Sequence, residues 1–305
     1  MTGPLLLARL DLPRPHVAED APALAVERDG FGLIGVFDGL GGAGARRVDG
    51  EDGQRSSAYY AARVARAAVL ERFGAGGVGW RDAPALLSRA IGEALARRHA
   101  AAPPAASAVR SRLIRSYPTT AALILAKPGD GFVDALAMWA GDSRCYAVTP
   151  RAGLQQLSRD DTTTDAGSLR ALREDGRMTN VLCADRPGRL SGTVRRIGGP
   201  ALLIAVTDGG YACLPSPMHL ELALLDALAA AACCETWTAA IAARLAPLVD
   251  DDVSLAAAFA GWPSLSAASA CFAARRVRLC AMLHAPLAEA WERYRPDYMA
   301  LADAA

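Results

Sequence analysis

Four aspartates flank apolar runs in four distant segments. The run Phe31-Gly32-Leu33-Ile34-Gly35-Val36 leads into Phe37-Asp38-Gly39-Leu40-Gly41, and a run over 201–207 ends in Asp208-Gly209-Gly210. Asp142 follows an apolar run over 135–141, and the triplet Asp250-Asp251-Asp252 directly precedes the run that starts at Val253. A carboxylate beside a buried strand is held by rigid backbone at the rim of a sheet, where its charge can reach a cation. Four such acids predict one converging metal site built from oxygen ligands.

The elements that must position these acids are legible in part. Strands are predicted over 31–36, 119–125, 135–141, 144–148, 201–207 and 253–260, with Pro128-Gly129-Asp130-Gly131 turning the second into the third as a hairpin. Ser56 caps a predicted helix over 56–73, and Pro84 opens another over 82–100. Two more helices are expected over 216–233 and 236–248, and the chain beyond Pro263 is helical, punctuated by Pro286 and Pro296. The segment 41–55 is expected as an extended loop beside the site. The polar stretch 160–200 is expected as a flap that borders substrate, with at most one short helix over 168–174. Strands and helices in blocks, rather than in regular β-α-β alternation, predict segregated layers.

The chain has 305 residues, is 52% hydrophobic and carries a net charge of +1, which allows a substantial core and gives no bulk field for nucleic acid or an anionic membrane. The arginine pairs Arg46-Arg47, Arg195-Arg196 and Arg275-Arg276 read as solvated faces. Seven cysteines show no Cys-x-x-Cys pair and are expected as buried, reduced thiols. Without a signal-peptide core or a long apolar span, a cytoplasmic protein is expected, and the arginine- and alanine-rich usage suggests a bacterial source.

Taken in order, Glu19-Asp20-Ala21, Phe37-Asp38-Gly39-Leu40-Gly41-Gly42, Thr119-Thr120, Gly141-Asp142-Ser143-Arg144, Thr207-Asp208-Gly209 and Asp251-Asp252-Val253-Ser254 resemble the motifs of the metal-dependent serine/threonine protein phosphatases, the PPM or type 2C family. The resemblance covers residues 14–262. It implies an α+β fold, a four-layer α-β-β-α sandwich of two antiparallel sheets with outer helices, in a phosphatase domain over 1–262; outside the resemblance, the spacing of Leu279, Leu283, Leu287 and Trp291 predicts a C-terminal helical extension over 263–305 packed on or beside it. It also implies two Mn²⁺ or Mg²⁺ ions. Asp38 would bridge both, Gly39 would offer its carbonyl, Glu19 would complete the second, and Asp208 and Asp251 would hold the first. Asp142 resembles the ligand of a weaker third ion, and Asp20 would act through water. Hard cations favour such oxygen donors, and a shared water between two of them becomes a nucleophile for in-line attack on phosphorus.

The implied substrate is a phosphoprotein, and the implied partner a serine/threonine kinase of the same pathway. Three positions depart from the pattern. Arg14, the expected phosphate grip, stands five residues before Glu19 where the family has four. Leu40 occupies the place of a proton-donating histidine in many animal members, and Ala212 that of a further third-metal aspartate. These departures support an alternative, a non-catalytic signalling or scaffold module that binds a phosphoprotein.

Overall fold

A computed structural model describes residues 5–15, 17–42, 46–102, 115–163, 178–186 and 188–303. In chain order the described elements are β1 (Leu5–Leu12), β2 (Leu24–Arg28), β3 (Phe31–Val36), β4 (Arg47–Gly50), β5 (Gly53–Ser56), α1 (Ser57–Gly74), α2 (Ala83–Ala100), β6 (Ala121–Gly129), β7 (Phe132–Ala140), β8 (Arg144–Thr149), β9 (Gly153–Gln156), β10 (Ser191–Gly198), β11 (Ala201–Val206), α3 (Asp208–Ala212), α4 (Pro217–Ala230), α5 (Cys234–Leu245), β12 (Val253–Ala260), α6 (Leu265–Met282) and α7 (Leu287–Asp303). The strands form two antiparallel five-stranded sheets, β1-β12-β11-β8-β9 and β10-β7-β6-β3-β2, plus the β4-β5 hairpin.

Period-two alternation explains the layering. In β11, Ala201, Leu203 and Ala205 face the opposite sheet, while Leu202, Ile204 and Val206 face helices. In β6, Ala122, Ile124 and Ala126 face the same inter-sheet core, and Leu123 and Leu125 point outward. The inter-sheet face is dominated by alanine, so the abundance of that residue serves close sheet contact. Outside, α1 and α2 cover one sheet through Ala61, Ala65, Val69, Leu87, Ile91 and Leu95. The other sheet is covered by α4, α5, α6 and α7 through Leu224, Trp237, Ile241, Phe272, Trp291 and Tyr294. The architecture is the expected α+β sandwich in four layers.

Several expectations are corrected. The stretch 41–55 is no plain loop: Asp49-Gly50-Glu51-Asp52-Gly53 closes the β4-β5 hairpin, with Gly53 at φ +79°. The expected flap over 160–200 contains β10, an edge strand paired to β7 along its length. Its exposed positions are Gly192, Val194, Arg196 and Gly198, and Ser191, Thr193 and Arg195 alternate with them, so it shows no apolar run. The short helix expected over 168–174 lies outside the described residues. Pro296 does not end the last helix but sits inside α7, which Trp291, Tyr294 and Tyr298 anchor on both sides of it.

Arg275 is no surface residue either. It is 6% exposed and forks onto the fully buried Glu221 at 2.6 and 3.0 Å. Glu221 also accepts the Tyr294 hydroxyl at 2.6 Å and the Leu154 N–H at 3.0 Å. Helices α6 and α7 are thereby joined to β9 and α4 through one satisfied polar node. All seven cysteines are free thiols, but only Cys145 and Cys183 are buried: Cys213, Cys234 and Cys280 are half-buried, and Cys233 and Cys271 are exposed. Among the described residues no helix is long and apolar enough to cross a membrane.

Candidate active site

The acids gather at one end of the two sheets. Asp38 lies two residues beyond β3, Asp142 between β7 and β8, Asp208 where β11 gives way to α3, and Asp251 two residues before β12. Backbone register brings these ends together: Val36 pairs with Ala122, Ala121 with Ala140, and Val206 with both Arg144 and Leu255.

The Asp38 backbone is fixed by the two residues that lead into β6. Its carbonyl accepts the Thr119 hydroxyl at 2.7 Å and the Thr120 N–H at 2.8 Å. Thr120 in turn shares a 2.7 Å hydroxyl contact with Ser143, tying the Asp38 and Asp142 segments. Gly39 bridges to Thr119, and a Cβ there would lie 2.7 Å from the Ala58 carbonyl oxygen and 2.8 Å from that of Glu19, so only glycine fits. Its neighbour Gly41 leaves room for the Glu19 carboxylate, whose Oε2 would sit 1.9 Å from an added Cβ.

Asp252 organises the N-terminal motif. Its carboxylate accepts the backbone N–H of Arg14 at 2.6 Å, Glu19 at 2.5 Å and Asp20 at 3.2 Å. It is the residue that sequence reasoning missed: three consecutive acids carry no signal of which one turns inward, although the strand that follows sets the alternation. Asp251 turns outward, its side chain 59% exposed, accepts the Asp252 N–H at 2.8 Å and lies 3.9 Å from the Arg14 guanidinium. Arg14 therefore stands at the rim beside Asp251 despite its shifted spacing. Ser56 caps α1 through the Tyr59 N–H at 3.0 Å and also donates to the Glu19 carboxylate.

The electrostatics are those of crowded carboxylates. Burial, then repulsion from Asp20, Asp208 and Asp142, holds the Asp38 carboxyl well above the usual range. Asp20 hydrogen-bonds to Asp38 directly, accepts the Thr207 hydroxyl at 2.9 Å, and is raised by burial and by Asp252. Asp142 is pushed up to about 7, first by burial and then by Asp208 and Asp160. Burial raises Glu19 as well, with Asp252 and Asp251 adding to it. Groups in such a cluster ionise together only when positive charge is supplied. Asp38, Asp20, Asp142 and Asp208 thus form one electrostatic group, and Glu19 faces Asp251 and Asp252.

These residues fit hard cations. The donors are all oxygen, and the Asp142 Oδ1 is buried without a hydrogen-bond partner. Among the described residues no three acidic, histidine or cysteine side chains already stand in a closed ligand set. Ala212 is exposed, and Leu40 is half-buried with its N–H on the Pro118 carbonyl at 3.3 Å. His16 lies outside the described residues.

No protein-family model matches the chain, and no curated protein matches it. Solved structures do. The serine/threonine phosphatase Stp1 from Staphylococcus aureus is 17% identical, with 84% of this chain and 95% of that chain covered at a TM-score of 0.62. The Mycobacterium tuberculosis serine/threonine phosphatase PstP/Ppp is 19% identical, covering 86% of this chain and 100% of that chain at 0.55. PppA, a regulatory component of the T6SS in Pseudomonas aeruginosa, is 16% identical, covering 85% of this chain and 100% of that chain at 0.57. Two antiparallel sheets between helical layers, with their acids at one end, give this chain the fold of the bacterial PPM-type serine/threonine phosphatases.

Proposed function

We propose that the chain hydrolyses phosphoserine and phosphothreonine on proteins with the help of Mn²⁺ or Mg²⁺. The observation that carries this reading is the cluster of Asp38, Asp20, Asp142 and Asp208, in which burial and the charge of neighbouring acids, Asp208 among them, raise the carboxyls of Asp38, Asp20 and Asp142, and Asp142 Oδ1 is buried without a partner. Asp38, Asp208, Asp251, Glu19 and the Gly39 carbonyl would hold two ions, and Asp142 a weaker third. Bound there, such ions lower the pKa of a shared water and neutralise charge on the transferring phosphoryl group.

The chain's own residues do the rest. Thr119, Thr120 and Ser143 fix the Asp38 and Asp142 segments, and Asp252 holds the β1-β2 connection at Arg14 and Glu19. Arg14, half-exposed beside Asp251, would grip a substrate phosphate through its guanidinium fork. Leu40 offers no proton, so the leaving serine oxygen takes its proton from water. The substrate is a phosphoprotein, a serine/threonine kinase of the same pathway supplies it, and both act in the cytoplasm. The segment 263–305 follows the phosphatase domain as a helical extension.

A second reading, a non-catalytic module that binds a phosphoprotein, is favoured by Leu40 and Ala212. One assay separates the two. Phosphate release from a phosphothreonine peptide and from a small aryl phosphate is measured with Mn²⁺, with Mg²⁺ and with chelator. The hydrolase reading expects metal-dependent turnover that falls by orders of magnitude in Asp38→Asn, Asp208→Asn and Asp251→Asn, non-additively because the three build one site. A folded chain that binds the peptide without releasing phosphate establishes the second reading.

A further inference from the structure

Asp142, in the β7-β8 connection, is held from α3 as well. Its backbone carbonyl accepts the Tyr211 hydroxyl at 3.0 Å, and the Tyr211 ring lies under the Arg144 guanidinium, 3.9 Å from ring centroid to carbon. The Arg144 side chain is 4% exposed and forks onto Asp160, with Nε 3.0 Å from Oδ1 and Nη2 2.6 Å from Oδ2. Asp160 Oδ1 also accepts from Gln156 Nε2 at 3.3 Å, and Gln156 Oε1 accepts the Tyr298 hydroxyl at 2.8 Å. Tyr298 belongs to α7, where its ring packs on Trp291 at 5.5 Å.

A continuous series of side chains therefore runs from the last helix to an acid of the candidate site. Its central member needs a planar, forked cation, because one face stacks on Tyr211 while the edge meets a carboxylate; lysine cannot do both. The stack fixes the plane of the Tyr211 ring and so aims its hydroxyl at the Asp142 carbonyl. A phenylalanine would pack equally well, so the hydroxyl does something that packing does not require. Beyond it stands the buried, unpartnered Asp142 Oδ1, an acceptor whose placement matters only if something binds there.

We infer that Tyr211 and Arg144 are positioning residues for Asp142, and that α7 sets that position through Tyr298, Gln156 and Asp160. The consequence for metal binding rests on the metal-dependent reading above; the positioning itself does not. The C-terminal helix is thus a route by which an event at the outer layer reaches the site.

The test uses the full chain with Tyr211→Phe and Tyr298→Phe, each removing one hydroxyl and keeping the ring, and Arg144→Lys as the stronger perturbation. Amide hydrogen exchange is followed by peptide mass spectrometry, and Mn²⁺ binding by calorimetry. In Tyr211→Phe, exchange in the peptide spanning 139–146 is expected to accelerate about fivefold, the worth of one hydrogen bond, with a similar loss of Mn²⁺ affinity. Tyr298→Phe is expected to move the same peptide in the same direction by less, with β11 and β12 unchanged. Wild-type exchange over 139–146 in both phenylalanine variants overturns the inference, as does an increase spread evenly over β8, β11, β12 and α7, which is plain destabilisation. If the wild-type chain binds no Mn²⁺, the metal-dependent reading falls and the exchange result alone decides the positioning.

Discussion

Removing the negative charge of Asp142 should stabilise the metal-free protein at neutral and alkaline pH. Its carboxyl is pushed up to about 7 by burial and by Asp208, against an ordinary 3.8 in the unfolded chain. The folded state thus keeps a proton that the unfolded state has released, so stability is present at low pH and is lost as pH rises towards 7. A tenfold change in proton affinity is worth about 1.4 kcal/mol, and integrating between pH 5.5 and 8 gives a loss of about 2 kcal/mol from this residue. For a chain of 305 residues the unfolding entropy is about 0.6 kcal/mol per kelvin, so the midpoint should fall by about 3 °C. Asp38 and Asp20 are raised by the same causes and act in the same direction. His219, lowered by burial and by Arg244, acts in the opposite sense below its ordinary 6.5. Comparing wild type with Asp142→Asn by calorimetry in chelator at pH 5.5, 6.5, 7.25 and 8 cancels the His219 contribution and reduces that of Asp38, which the Asp142 charge helps to raise, so both changes act in one direction. The variant should lose less stability across the series by about 3 °C. Parallel curves would refute the argument, since they would mean that Asp142 is solvated and not crowded. Added Mn²⁺ should raise the wild-type midpoint most at pH 8, where the carboxylates are ionised.

Arg14→Ala should raise KM for a phosphopeptide clearly more than it alters Mn²⁺ affinity, because the guanidinium faces the rim; steady-state kinetics with metal titration separates the two. Gly41→Ala should weaken Mn²⁺ binding while leaving the thermal midpoint within a few degrees, since the added methyl meets only the movable end of Glu19, as calorimetry would show. Arg275→Met should destabilise by about 3–5 kcal/mol, seen in urea melts, because it strands the buried Glu221 charge. The double variant Glu221→Leu with Arg275→Met should recover much of that loss.

Strands that carry an acid at their end were legible because they are buried on both faces and read as uninterrupted apolar runs. The bounds of β3 and β12 are those expected, and the β6-β7 turn falls at Pro128-Gly129-Asp130-Gly131, with Gly131 at φ +76°. The helix starts at Ser56 and Pro84 followed from local capping chemistry, and Ser56 does cap α1. Where one face of a strand is polar the signal faded: β1 alternates Ala8 and Leu10 inward with Arg9 and Asp11 outward, and β10 shows only Ile197 buried. The residue types fixed early that oxygen donors, not thiols or imidazoles, would meet at one end of the sheets. Tertiary structure alone decided that Asp252 turns inward to three N–H groups while Asp251 turns out, that Arg275 is buried, and that α7 reaches Asp160 through Tyr298. Each of these depends on groups brought together across more than fifty residues of chain, and the pairing of a charge with a distant partner leaves no local periodicity to read.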